Sequence, residues 1–148
     1  MKVTGLCSCY DKVGGIVYFA RMLAKIRLHA QGKLPAEYQE NLGVGFDGRC
    51  CSFLQIKYED VVTRVRLGGT DEDVLKWCFE NGRKPSEEEI EIWNGFMAKR
   101  GWRDEAAGRL EQRKKESGFE NCGDIQTMFD YIDADEGRSP GWQTLRAD

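Results

Sequence analysis

Proline is scarce in this chain, with three in 148 residues, and histidine is scarcer still, with one. So few prolines leave long stretches free to be helical, and the 17 glycines must supply most of the turns. A single histidine disfavours a zinc site, and no C-x-x-C pair replaces the missing imidazoles. No apolar run approaches the roughly 18 residues of a transmembrane helix. Nor does a basic n-region with an apolar h-region open the chain. A cytoplasmic location without membrane attachment is therefore expected. Charge of one sign is lacking too: 22 Lys and Arg stand against 25 Asp and Glu, for a net charge of −3 with both signs interspersed. That balance argues against a nucleic-acid face and against a polybasic membrane patch.

What is present reads as one ordinary globular domain over residues 1–138, with 139–148 as a loose tail. Cysteine is the exception, with six. Cys50 and Cys51 are adjacent, Cys7 and Cys9 are one residue apart, and Cys78 falls inside a helical pattern, so no disulfide framework emerges. Reduced thiols are the expectation. A soft-metal site from Cys7, Cys9, Cys50 and Cys51 is the one metal arrangement worth weighing, and it is disfavoured. No metal and no cofactor are expected.

The stretch Gly15–Gly32 organises the rest. On a helix at 100° per residue, Ile16, Phe19, Met22, Leu23, Ile26 and Ala30 form a broad apolar face. Val17, Ala24 and Leu28 form a second, narrower one. Only a thin polar strip of Tyr18, Arg21, Lys25 and His29 separates them, as expected of a helix at the centre of a bundle. Further helices follow from their punctuation. Pro35 opens a short one, and Asp47 caps the next, with Phe46 stapled on Cys51. Tyr58–Leu67 presents Val61, Val62 and Val65. Thr70 and Ser86 cap two more, the second burying Ile90, Trp93, Phe96 and Met97. Asp104 caps a mainly polar helix, and Asp124 caps a last one bearing Ile125, Met128, Phe129 and Ile132. Gly43, Gly45 and Gly48 spell G-x-G-x-x-G, but a polar, helix-like segment precedes them, so a dinucleotide fold is rejected. Apart from a doubtful strand at 53–58, the expectation is an all-α domain of six to seven short helices around a buried N-terminal helix.

Several motifs together resemble a bacterial family of small domains of unknown function. They are Gly14-Gly15, Arg21-Met22 and Lys25; Phe46-Asp47, Arg49-Cys50 and Phe53-Leu54; Trp93-Asn94; Lys99 through Asp104; Asp124-Ile125-Gln126; and Phe129-Asp130 with Asp133 to Gly137. The resemblance spans residues 5–138 and implies a fold boundary, but no activity and no catalytic assignment. Cys7 and Cys9 depart from the family pattern, standing where a basic residue and a proline are expected. Lys57 stands where a capping Asp is usual.

Four constellations could carry chemistry. Arg21, Lys25 and His29, spaced i, i+4, i+8 with Tyr18 beside them, could form a cationic wall for a carboxylate or phosphate, with His29 as acid or base. The plainer reading is a solvated stripe paired with acidic neighbours. Arg27, near the edge of the apolar face, should pair with Asp130 or Asp133. In Asp47-Gly48-Arg49-Cys50, a helix N-terminus and Arg49 would lower the Cys50 thiol, making a Cys50–His29 nucleophilic pair conceivable. Against it, cysteine is commonly just a small core residue, and the Asp47 carboxylate opposes a thiolate. Trp93, Asn94, Arg100, Trp102, Arg103 and Asp104 could wall a pocket or meet a partner, or simply seal the core. The acidic run Asp130-x-x-Asp133-x-Asp135-Glu136 lacks the glycine and bidentate Glu positions of a calcium loop. The functional expectation is a pocket beside the first helix for a small anionic molecule, bound or acted upon. Its residues would be Tyr18, Arg21, Lys25, Asp47, Arg49 and Trp102, with His29 and Cys50 as the catalytic candidates. The alternative is an interaction or self-association module, homo-oligomeric, using Trp102 and the polar helix 104–117.

Overall fold

The computed structural model describes residues 2–146. Its architecture is helical: eight α-helices and one two-stranded ribbon among the described residues, so the expected six to seven helices fall short of the observed number. The chain opens with β1 (Lys12–Val13) and β2 (Ile16–Val17), an antiparallel pair with Val13 opposite Ile16. Gly14 and Gly15 make the turn at φ 56° and 79°, a left-handed conformation that glycine adopts without a Cβ penalty. The apolar pair Ile16-Val17 therefore belongs to a strand, and α1 is Phe19–Ala30, shorter than the stretch Gly15–Gly32. The doubtful strand at 53–58 is absent; Phe53 lies in a helix.

Eight of the twelve residues of α1 are buried, as expected of a central helix. Phe19, Met22, Leu23 and Ile26 enter the main core with Cys50, Leu54, Val61, Val74, Cys78, Met97 and Phe129. Leu28, with Ala24 against it, meets Val3, Leu6 and Leu34 in a second small cluster. Both apolar faces are thus used, each against a different part of the chain.

Around α1 run α2 (Ala36–Gln39), α3 (Phe46–Leu54), α4 (Tyr58–Arg66), α5 (Asp71–Asn81), α6 (Glu87–Lys99), α7 (Ala107–Glu116) and α8 (Met128–Asp135). The two caps with local sequence signatures form as expected. The Thr70 and Ser86 hydroxyls accept from the N–H groups of Asp73 and Glu89, whose carboxylates accept from the cap backbones in return. Three other expectations are corrected. Gly45, at φ 59°, precedes α3, so Asp47 lies inside the first turn and is not its cap. Thr127, not Asp124, caps α8 by accepting from the Asp130 N–H. Phe96 is exposed on α6, while Trp93 and Met97 are buried as expected. A 3-10 turn, Gly141–Leu145, follows α8; its Gly141 N–H donates to Asp133 at 3.0 Å, and Leu145 packs on the core. No helix among the described residues is long and apolar enough to cross a membrane.

Candidate functional site

Of the polar strip, only His29 is exposed; the other three residues do not face water. Tyr18, Arg21 and Lys25 are all but buried, at 3–4% exposure, and each is held by a carboxylate from elsewhere in the chain. Arg21 makes a bidentate pair with Glu136 at 2.9 and 2.7 Å and also donates to the Cys7 carbonyl at 2.9 Å. Glu136 further accepts from the Tyr38 hydroxyl at 2.8 Å and from Arg138. One helical turn on, the Lys25 ammonium lies 2.8 Å from Asp47. Asp47 is fully buried and also accepts from the Tyr18 hydroxyl at 2.7 Å and the Gly43 N–H at 3.1 Å. Tyr18, at φ 74°, takes a conformation uncommon for an aromatic residue, and Phe46 packs edge-on to it. Phe46 thus meets the rings of Tyr18 and Phe129.

The charges in this layer are matched. Burial alone would raise the Glu136 carboxyl, but the Arg21 pair and the bonds from Arg138 and Tyr38 outweigh it and hold it below its ordinary 4.5. Burial, then the Asp47 carboxylate, pushes the Tyr18 hydroxyl well up, so it serves as a donor and not as a base. Asp133 lies on the other side of α8, where burial raises its carboxyl despite donors from Ser8 and Gly141. The two acids act oppositely on stability. Glu136 contributes stability that is present above its unfolded value and lost as pH falls through its lower folded value. Asp133, raised, is protonated more readily in the folded state and recovers stability over the same descent. The Glu136 contribution should show as an acid limb below about pH 4.5 in the melting temperature, flatter in Glu136→Gln; identical limbs would contradict it.

Above this floor opens a cavity of about 570 Å³. Tyr18, Arg21 and Lys25 form its base, Tyr38 and Phe46 its sides, and Met128, Tyr131 and Ile132 of α8 a further wall. Three arginines complete the opening: Arg49 of α3, and Arg109 and Arg113 of α7, one turn apart on the same face. Arg100, at the end of α6, joins them but is paired with Asp104 and Glu105. None of the ion pairs found among the described residues involves Arg49, Arg109 or Arg113; the Arg49 guanidinium lies 5.2 Å over the Phe96 ring. Six cations line the cavity against three carboxylates, Glu37, Asp135 and Glu136.

The expected site residues divide accordingly. Tyr18, Arg21, Lys25 and Arg49 converge on the cavity, and Asp47 lies directly behind two of them. His29 is exposed in the last turn of α1, and neither it nor Cys50 lines the cavity. Cys50 is fully buried, and burial, with Cys51 and Asp47 nearby, pushes its thiol up, opposite to the expected thiolate. The geometry does not unite this pair. Arg27 pairs with Asp71 at the start of α5, not with Asp130 or Asp133, which are bonded by Tyr10 and Ser8. Trp102 lines a different cleft of about 520 Å³, with Trp142, Asp124 and Asp130. Arg109 and Arg113 lie in the helix read from the sequence as mainly polar and as a partner surface, and their i, i+4 spacing alone does not set them apart from solvated arginines.

From residue 3 to residue 138 the sequence matches the family described as Domain of unknown function (DUF5069). The chain belongs to that family. No curated protein matches it. The span assigned to DUF5069 contains the whole cavity, floor and arginines alike. Within this DUF5069 domain no group of three or more His, Cys, Asp or Glu among the described residues is placed to hold a metal ion.

Proposed function

We propose that this DUF5069 protein binds a small anionic molecule in the cavity beside α1. The observation that carries the reading is the set of Arg49, Arg109 and Arg113, three guanidinium groups outside every ion pair found among the described residues, at one opening of a chain whose net charge is −3. Arg21 and Lys25 play a different part from the one expected of a cationic wall. Already neutralised by Glu136 and Asp47, they fix the floor, while the rim arginines face the ligand. A volume of about 570 Å³ suits a small metabolite.

The test is a calorimetric panel of small anions (acetate, succinate, sulfate and phosphate) at constant ionic strength. At least one should bind saturably, and the triple variant Arg49→Gln, Arg109→Gln, Arg113→Gln should weaken it tenfold or more, about 1.4 kcal/mol. Saturable binding by none of them, or equal binding by the variant, would overturn the proposal. The second reading, an interaction module, draws on Trp102 and Trp142, each more than 40% exposed beside the other cleft. Concentration-dependent self-association weakened by Trp102→Ala would favour it.

A further inference from the structure

The rim carries more positive charge than one carboxylate needs, and the geometry points to a phosphomonoester as the ligand, with its phosphoryl group held by Arg49, Arg109 and Arg113. This rests on the anion-binding reading above and narrows it.

The protein itself shows what a single carboxylate requires. Glu136 is satisfied by two guanidinium groups, the Arg21 fork and Arg138, together with the Tyr38 hydroxyl. At the rim stand three guanidinium groups, one more than Glu136 takes, two from one face of α7 and one from α3, and none of them is in an ion pair found among the described residues. Guanidinium groups sharing one opening repel one another, and a multiply charged anion among them relieves that repulsion. A phosphoryl group carries about −1.5 to −2 charge at neutral pH and presents three acceptor oxygens, enough for forks arriving from two helices. A monocarboxylate would leave at least one fork unmet.

The cavity is also far larger than a phosphate ion. Phe46, Met128 and Ile132 supply apolar wall within it, and the paired floor offers no free cation for a second anionic group. An organic body esterified to the phosphate fills that space, whereas inorganic phosphate shares only the charged end.

Calorimetry with phenyl phosphate, inorganic phosphate and benzoate separates these possibilities. Phenyl phosphate is expected to bind at least tenfold tighter than benzoate and measurably tighter than inorganic phosphate. Arg109→Gln with Arg113→Gln should cost tenfold or more. A charge-matched control, Arg66→Gln with Lys84→Gln, should cost nothing, both residues being exposed and outside the cavity. No hydrogen bond or ion pair found among the described residues involves either rim side chain, so an unchanged melting temperature will certify the rim variant's fold. Benzoate binding as tightly as phenyl phosphate would overturn the phosphoryl assignment and leave the anion pocket standing. Inorganic phosphate binding as tightly as the ester would overturn the ester. If none of the three anions bound saturably, both readings would fall.

Discussion

Replacing Glu136 with alanine should lower the unfolding free energy by about 3–5 kcal/mol, the range for breaking a buried ion pair from one side. The reason is what remains. Arg21 is 4% exposed, and its guanidinium would keep one carbonyl partner, that of Cys7, in place of a bidentate carboxylate. The Tyr38 hydroxyl and the Arg138 guanidinium would lose the same acceptor. Removing both charges is a different matter, because an apolar pair of similar volume leaves no stranded ion. The double variant Arg21→Met, Glu136→Leu should therefore recover at least half of the loss. Urea unfolding followed by circular dichroism measures both. A loss under about 1 kcal/mol for Glu136→Ala would contradict the burial of this pair.

Asp47→Ala should be comparably damaging, by about 3 kcal/mol, since it strands the Lys25 ammonium and removes the acceptor of the Tyr18 hydroxyl and the Gly43 N–H. Asp47→Asn keeps an acceptor for Tyr18 and should cost less. It also has a second consequence of opposite sign. Lys25 lines the cavity, so removing the negative charge 2.8 Å from it should tighten anion binding while the fold weakens. Stability and affinity moving in opposite directions is the signature to seek, by unfolding and calorimetry on the same protein. Weaker binding in a folded Asp47→Asn would place Lys25 outside the ligand's reach.

The parts of this fold that were legible in the sequence are those made locally. Thr70 with Asp73, and Ser86 with Glu89, close their capping boxes three residues apart, and nothing distant alters them. The double apolar face of α1 was legible for the same reason: period alone reveals it. Its first turn was not, because Ile16 and Val17 fit a helical face as well as a strand, and the Gly14-Gly15 hairpin decided between them. Asp124 and Thr127 are both good caps by type, and only the chain's approach to α8 selects Thr127. Arg21 and Lys25 looked like a solvated stripe because their partners are remote, Glu136 lying 115 residues further along. Cys50 looked activated on the assumption that Asp47 opened the helix; starting α3 at Phe46 puts Cys50 two residues further along it, in the core. The rim arginines of α7 escaped notice because a polar helix has no period that distinguishes a ligand-facing arginine from a solvated one.

The most direct test of the central claim observes the arginines themselves. In protein labelled with ¹⁵N-arginine, the side-chain Nε–Hε signals can be followed while acetate, sulfate and phosphate are added in turn at constant ionic strength. Saturable shifts concentrated at Arg49, Arg109 and Arg113 are expected, with Arg21 unmoved because Glu136 already holds it. Shifts spread evenly over surface arginines such as Arg66 and Arg146, or no saturable shift at the rim with any of the three anions, would contradict the claim.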